Sequence, residues 1–263
     1  MTRPCGLRAI GVDKGYTEVF TDNDGQRYGL GLGTLLSTKS DADKVRYQGR
    51  QTLAAIAGKH IVKGRYRKYE RMVKQNLGKQ KIARQKARHR AEVRTKVFTA
   101  THAVIDKAAV LVVEDLSRPI VSYDRAKNAN RRLSGWIKGL IQEAVLSVSR
   151  RRGASSDCVN AAYTSQAVRC HPSFGRRDGG TLHCTICGAV YDVDVVAAEN
   201  ILDRRADREI GRFAPYRKVR AVLEERFRLA SSPYGHDVPA ETAQPRLQLG
   251  RKRQALSRQR RAK

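Results

Sequence analysis

Three acidic residues stand where they could do chemistry. Asp13 ends an apolar segment in Ala-Ile-Gly-Val-Asp-Lys-Gly, Glu114 ends Ala-Ala-Val-Leu-Val-Val-Glu, and Asp194 precedes Val-Val-Ala-Ala-Glu-Asn-Ile-Leu. Each also has an ordinary reading. An Asp followed by Gly suits a strand-ending turn, an acid at the start of a helix caps it, and a carboxylate closing a strand buried on both faces needs a partner at the core edge. Three acids meeting at one sheet edge would repel one another unless cations lay between them. Oxygen ligands of this kind select Mg²⁺ or Mn²⁺ over zinc, and a pair of such ions about 3.5–4 Å apart serves phosphodiester cleavage. Spacing alone does not bring the three together.

The second group is soft. The five cysteines, Cys5, Cys158, Cys170, Cys184 and Cys187, are odd in number and scattered. That pattern fits a metal site better than a disulfide framework, and the last three are close enough in sequence to act together.

The elements that must position these residues follow from periodicity. Residues 7–13, 17–22 and 26–32 read as three strands, with Asn23-Asp24-Gly25 as the turn of a hairpin. From 41 to 107 the strand signals stop, and Lys, Arg, Gln and Ala predict long exposed helices. Residues 108–114 form a continuous apolar run, the mark of a strand covered on both faces. Leu133, Ile137, Leu140, Ile141, Ala144, Val145 and Val148 recur at steps of three and four, predicting a helix over 128–151. A further strand is expected over 157–162 and a helix over 195–208. Meander, strand, helix, strand, helix is the order of an RNase H-like α/β fold. Pro, Gly, Gln and Arg dominate beyond 231, as in a disordered tail.

Charge narrows the partner. The 263 residues hold 53 Lys and Arg against 25 Asp and Glu, a formal +28, which points to a polyanion before any motif is read. Between Lys63 and Lys96 there are fourteen basic residues and two acids. Arg65, Arg67, Lys68, Arg71, Lys74, Lys81, Arg84, Lys86, Arg88 and Arg90 are the expected phosphate contacts, and Tyr66 and Tyr69 among them could stack on bases or pack between helices. Residues 246–263 add eight basic residues and no acid, an electrostatic arm. No apolar run approaches the roughly 20 residues a bilayer requires, so no membrane partner is expected, and the N-terminus lacks a signal-peptide core, which argues for a cytoplasmic chain.

Several of these segments resemble the split RuvC domain of the TnpB proteins of insertion sequences, relatives of type V CRISPR effectors. Gly11-Val12-Asp13-Lys14-Gly15 is similar to that family's first motif, Glu114-Asp115-Leu116 to its second, and Asp194-Val195-Val196-Ala197-Ala198-Glu199-Asn200-Ile201 to its third, with Val196 in place of Asn; Tyr163-Thr164-Ser165-Gln166 repeats a further phrase. The resemblance covers roughly residues 7–203. It implies an α/β, RNase H-like (RuvC) core in segments 1–40, 108–163 and 192–230, a basic helical insertion at 41–107, a zinc-ribbon-type insertion at 164–191 and a basic tail at 231–263. It further implies that Asp13, Glu114 and Asp194 converge to hold Mg²⁺ or Mn²⁺, that the chain is a metal-dependent DNA endonuclease core of a nucleoid-associated kind, and that its partners are DNA and a guide-type RNA. The first motif starts almost at Met1, without the wedge and recognition lobe of the family, so guided recognition would need parts supplied elsewhere. The family's ribbon has two Cys-x-x-Cys knuckles. Cys184-Thr185-Ile186-Cys187 copies the second, but Val168 and His171 stand at the ligand positions of the first, leaving Cys170, His171 or His183 to complete a zinc site with Cys184 and Cys187. A different class of reading, a nucleic-acid binder that keeps the basic surface without catalysis, needs no such acids.

Overall fold

The computed structural model describes residues 3–76, 78–117, 128, 131 and 137–231. Its centre is a five-stranded mixed sheet of order β3-β2-β1-β4-β5. The strands are β1 (Arg8–Lys14), β2 (Phe20–Asp22), β3 (Arg27–Tyr28), β4 (Ala108–Glu114) and β5 (Ser155–Val159). β1, β2 and β3 form the antiparallel meander expected from the sequence, while β1, β4 and β5 run parallel. The parallel pairs require crossovers, and long helices supply them. In β4, Leu111 and Val113 on one face and Val112 on the other are all fully buried, as a strand covered on both faces demands.

Helix α1 (Leu32–Val62) leaves the meander, followed by α2 (Tyr66–Arg71), a π-helical turn (Met72–Asn76) and α3 (Lys79–Ile105). The helix expected from residue 41 thus begins at Leu32, and the strand expected over 26–32 stops at Tyr28. Gly29 and Gly31 adopt positive φ of 69° and 79° and end the strand, after which Leu32 and Leu36 bury on the core side of the helix. The buried residues of α3 begin at Val93. Its first half carries charge instead of an apolar stripe and extends from the core with α1.

The second crossover ends in α4 (Lys138–Arg152), whose Ile141, Ala144, Val145 and Val148 pack into the main core with Val93, Val97 and Val104 of α3. The part of that helix expected ahead of 137, with Leu133, lies outside the described residues apart from positions 128 and 131. β5 begins two residues earlier than expected and ends at Val159, because Asn160 turns inward: its amide donates to the carbonyls of Gly211, Arg212 and Ala214. A separate three-stranded antiparallel sheet follows, β6 (Arg176–Asp178), β7 (Thr181–His183) and β8 (Val190–Asp192), which runs directly into α5 (Val193–Arg204). The last helix, α6 (Tyr216–Ser231), is joined to the base of this ribbon by an aromatic cluster of Tyr163, Phe174, Tyr216 and Phe227. The tail beyond 231, read from the sequence as disordered and basic, lies outside the described residues. No helix among the described residues is long and apolar enough to cross a membrane.

Candidate functional site

The parallel register of β1 on β4 aligns Val12 with Val113. One residue further, Asp13 and Glu114 therefore leave neighbouring strands at the same sheet edge. Helix α5 lies directly on β1: a Cβ at Gly11 would meet the carbonyl oxygen of Ala198 at 2.3 Å and Cβ of Leu202 at 2.7 Å. Only glycine permits this approach, and it sets the first turn of α5, with Asp194, over the end of β1. Asp192 caps that helix, its Oδ1 accepting from the backbone N–H of Asp194 at 2.9 Å and of Val195 at 3.3 Å. The helix expected from 195 accordingly starts two residues earlier, because the cap is Asp192.

Electrostatics tie the three acids together. Burial raises the carboxyl of Asp13 well above the ordinary range, the charges of Glu114 and Asp194 raise it further, and Arg177 on β6 pulls the other way. Burial also pushes Glu114 up to about 7 against the opposing charge of Lys14. The Nζ of Lys14, itself held down by burial, donates to the backbone carbonyl of Glu114 at 2.6 Å and to Oε1 of Gln142 at 2.8 Å. The three carboxylates are neighbours without being a tight cluster: among the described residues, the one group of acids, histidines and cysteines whose ligand atoms all lie within 4.8 Å of one another is elsewhere. A two-ion site, with its ligands shared between ions about 3.5–4 Å apart, does not require one such cluster. The donor set of oxygens, buried at Glu114 and part-buried at Asp13 and Asp194, suits hard divalent cations.

Several residues at this edge carry no signature in the sequence. Arg27 reaches Glu18 Oε1 at 2.5 Å, Asp192 Oδ2 at 2.6 Å and Asp194 Oδ2 at 3.5 Å. Asp115, next to Glu114, pairs with Arg212 at 2.6 Å. An arginine in a hairpin and another in a loop have no spacing that marks them, since Asp192 and Asp194 for the first and Asp115 for the second are over 90 positions away.

The tight cluster is in the ribbon, and it comprises Cys170, His171, Cys184 and Cys187. Cys170 Sγ and Cys187 Sγ are 3.6 Å apart, as are Cys184 Sγ and His171 Nδ1. A tetrahedral zinc ion with Zn–S bonds of about 2.3 Å has edges of about 3.8 Å, close to these two separations, and all four ligand atoms lie within 4.8 Å of one another. Burial opposes ionisation of Cys184, but backbone N–H groups of Cys187 and Ile186, with the neighbouring thiols, outweigh it and bring the thiol to about 6. The second knuckle is shaped by Gly188 at φ 73°, whose N–H bonds to the Cys184 carbonyl. At the first, Ser173 N–H bonds to the His171 carbonyl and Val168 N–H to the Ser173 carbonyl. This compact loop allows adjacent Cys170 and His171 both to face the second knuckle. Val168 is instead packed with Leu182, Cys184, Val193 and Val196, and His183 Nε2 lies 3.2 Å from Thr181 Oγ1, outside the cluster.

Residues 140–201 match the family model described as Cas12f1-like, TNB domain. The matching segment runs from α4 through the ribbon to the helix that carries Asp194, and it relates the chain to type V effector-related proteins. Solved structures similar to the chain include CasPhi-2 (Cas12j) bound to crRNA, at 20% identity and a TM-score of 0.32, over 54% of this chain and 23% of that one. The chain thus spans under a quarter of that protein's length. No curated protein matches it.

The ten basic residues singled out in the helical segment, Arg65, Arg67, Lys68, Arg71, Lys74, Lys81, Arg84, Lys86, Arg88 and Arg90, are all exposed. A cleft of about 720 Å³ is lined by five cations, Lys74, Lys79, Lys81, Arg84 and Arg88, and by no acid. Tyr66 is 64% exposed, while Tyr69 is half-buried.

Proposed function

We propose that the sheet is an RNase H-like (RuvC) core and that the protein is a metal-dependent DNA endonuclease core of the TnpB type, guided by RNA. The observation that carries this reading is the meeting of Asp13, Glu114 and the helix of Asp194 at one sheet edge, from positions about 80 to 180 residues apart, where burial and then the charges of Glu114 and Asp194 raise the Asp13 carboxyl. Burying like charges is costly unless cations share the site. Asp13, Glu114 and Asp194 would hold Mg²⁺ or Mn²⁺, which when bound activates water and neutralises the leaving oxygen of a phosphodiester. Lys14 fixes the end of β4 by its bond to the Glu114 carbonyl, and Arg177 supplies positive charge beside Asp13. Cys170, His171, Cys184 and Cys187 would hold a structural zinc that keeps the ribbon folded. The exposed cations of α2 and α3 would track phosphates of DNA or RNA, giving affinity without sequence information.

The test is cleavage of single-stranded DNA in the presence of Mg²⁺ by the full chain with any RNA that co-purifies. Asp13→Ala and Glu114→Ala should remove cleavage and leave binding nearly intact. Equal cleavage by variants and parent would sink the assignment.

One observation favours the alternative of a non-cleaving nucleic-acid binder derived from the same family: Asp194 already has the Arg27 guanidinium 3.5 Å away as counter-charge. On that reading the parent binds nucleic acid but takes up no Mn²⁺ at the carboxylate edge.

A further inference from the structure

We propose that Arg27 is a positioning residue that aims Asp194 for cation binding by clamping the start of α5 to the β2–β3 hairpin. The inference rests on the reading of Asp13, Glu114 and Asp194 as ligands.

Arg27 is built into the sheet, paired with Thr21 across β2 and β3. Its Nη1 engages Glu18 Oε1 at 2.5 Å, and the Glu18 side chain is only 4% exposed and also accepts from Thr21 Oγ1 at 3.2 Å. Its Nη2 engages Asp192 Oδ2 at 2.6 Å. The other oxygen of Asp192 accepts the two N–H groups that open α5. One planar guanidinium therefore joins a buried acid of the meander to the cap of the helix that carries Asp194, a geometry that two separate donor edges permit and a lysine ammonium does not reproduce.

The third contact differs in length. Nη1 stands 3.5 Å from Asp194 Oδ2, about 1 Å longer than the other two. Arg27 is thus anchored by Glu18 and Asp192 and only leans on Asp194. That looser contact leaves the Asp194 carboxylate able to take another cation. Partners that orient a ligand from behind commonly change metal affinity by about 10- to 100-fold when removed.

A purely structural role for the Arg27–Glu18 pair would also make Arg27→Gln harmful, because it orphans a buried acid. The double variant Glu18→Gln with Arg27→Gln removes both charges together and keeps the shapes. In the full chain, this double variant and Arg27→Lys are compared with the parent for Mn²⁺ binding by equilibrium dialysis, for the Mg²⁺ concentration giving half-maximal cleavage, and for amide exchange at Asp194 and Val195. The expected result is Mn²⁺ affinity and half-maximal Mg²⁺ both worse by about tenfold in the double variant, a smaller loss in Arg27→Lys, a maximal rate changed less than the Mg²⁺ requirement, and faster exchange at Asp194 and Val195. Unchanged exchange at those two amides, or Mn²⁺ affinity equal to or tighter than that of the parent, overturns the proposal. A parent that binds no Mn²⁺ and cleaves nothing refutes the nuclease reading instead, and the exchange measurement still decides whether Arg27 holds the helix.

Discussion

The carboxylate edge and the ribbon are two candidate metal centres built on opposite plans. The ribbon draws its four ligand residues from 170 to 187, within one excursion of the chain, and their ligand atoms lie within 4.8 Å of one another. The carboxylate edge draws on residues 13, 114 and 194, and its acids meet only because β1, β4 and α5 pack together. Local turns can preorganise thiols and an imidazole at little electrostatic cost, because backbone N–H groups of the knuckle meet the charge that the Cys184 thiol takes on. Three acids cannot be brought equally close, because their charges oppose it. The ribbon is thus tight, and the acidic edge is braced from outside by Lys14, Arg27 and Arg177.

The largest expected effect breaks the carboxylate side of this comparison. Asp13→Ala should lower Mg²⁺-dependent cleavage by about 10³-fold, roughly 4 kcal/mol at 1.36 kcal/mol per factor of ten, with zinc content unchanged. Rate assays and metal analysis on the same preparation check both halves. Cys184→Ser should do the converse: the parent carries one equivalent of zinc, the variant loses it, and the ribbon amides lose protection from exchange. A parent purified without stoichiometric zinc would remove the metal from the ribbon.

A smaller effect separates both centres from the helical arm. Replacing Lys81, Arg84 and Arg88 by Ala should weaken nucleic-acid binding and reduce the slope of log affinity against log salt by about 2–3, near one unit per lost phosphate contact. Cleavage chemistry at saturating substrate should be unaffected. Titrating binding at several salt concentrations measures the slope, and an unchanged slope would take these cations out of the interface.

The smallest effect is a pH dependence that sharpens the contrast. Buried Glu114, raised to about 7 from an ordinary 4.5, holds its proton more tightly in the folded chain than in the unfolded one. Its stabilising contribution in metal-free protein is therefore full below about pH 4.5 and is lost as pH rises through about 7. Mg²⁺ should restore stability at pH 8, since it favours the ionised acid, and Glu114→Gln should flatten this part of the profile. Denaturation midpoints at pH 5 and pH 8, with and without Mg²⁺, give the comparison.

Legibility in the sequence followed the range of the interactions. The apolar run ending at Glu114 announced a strand covered on both faces, and the step pattern from Leu140 to Val148 announced the helix that covers it. Cys184 and Cys187 were legible because a knuckle is a local turn. The partners of those two were open among Cys170, His171 and His183; the loop through Ser173 decided for the first two together, and pairing in β7 carried His183 away. The start of α1 was misplaced by nine residues because the positive φ of Gly29 and Gly31, not composition, ends the meander. Arg27 was invisible, since a guanidinium 165 positions from Asp192 has no periodicity to betray it.

By itself the amino-acid sequence determined which residues could act, since side-chain type sets ligand hardness and charge, and periodicity sets strand ends and helix faces. Only the tertiary structure decided which of them meet. The register of β1 on β4, the glycine contact under α5 and the fork of Arg27 are products of packing, and packing depends on contacts between residues that have no relation along the chain.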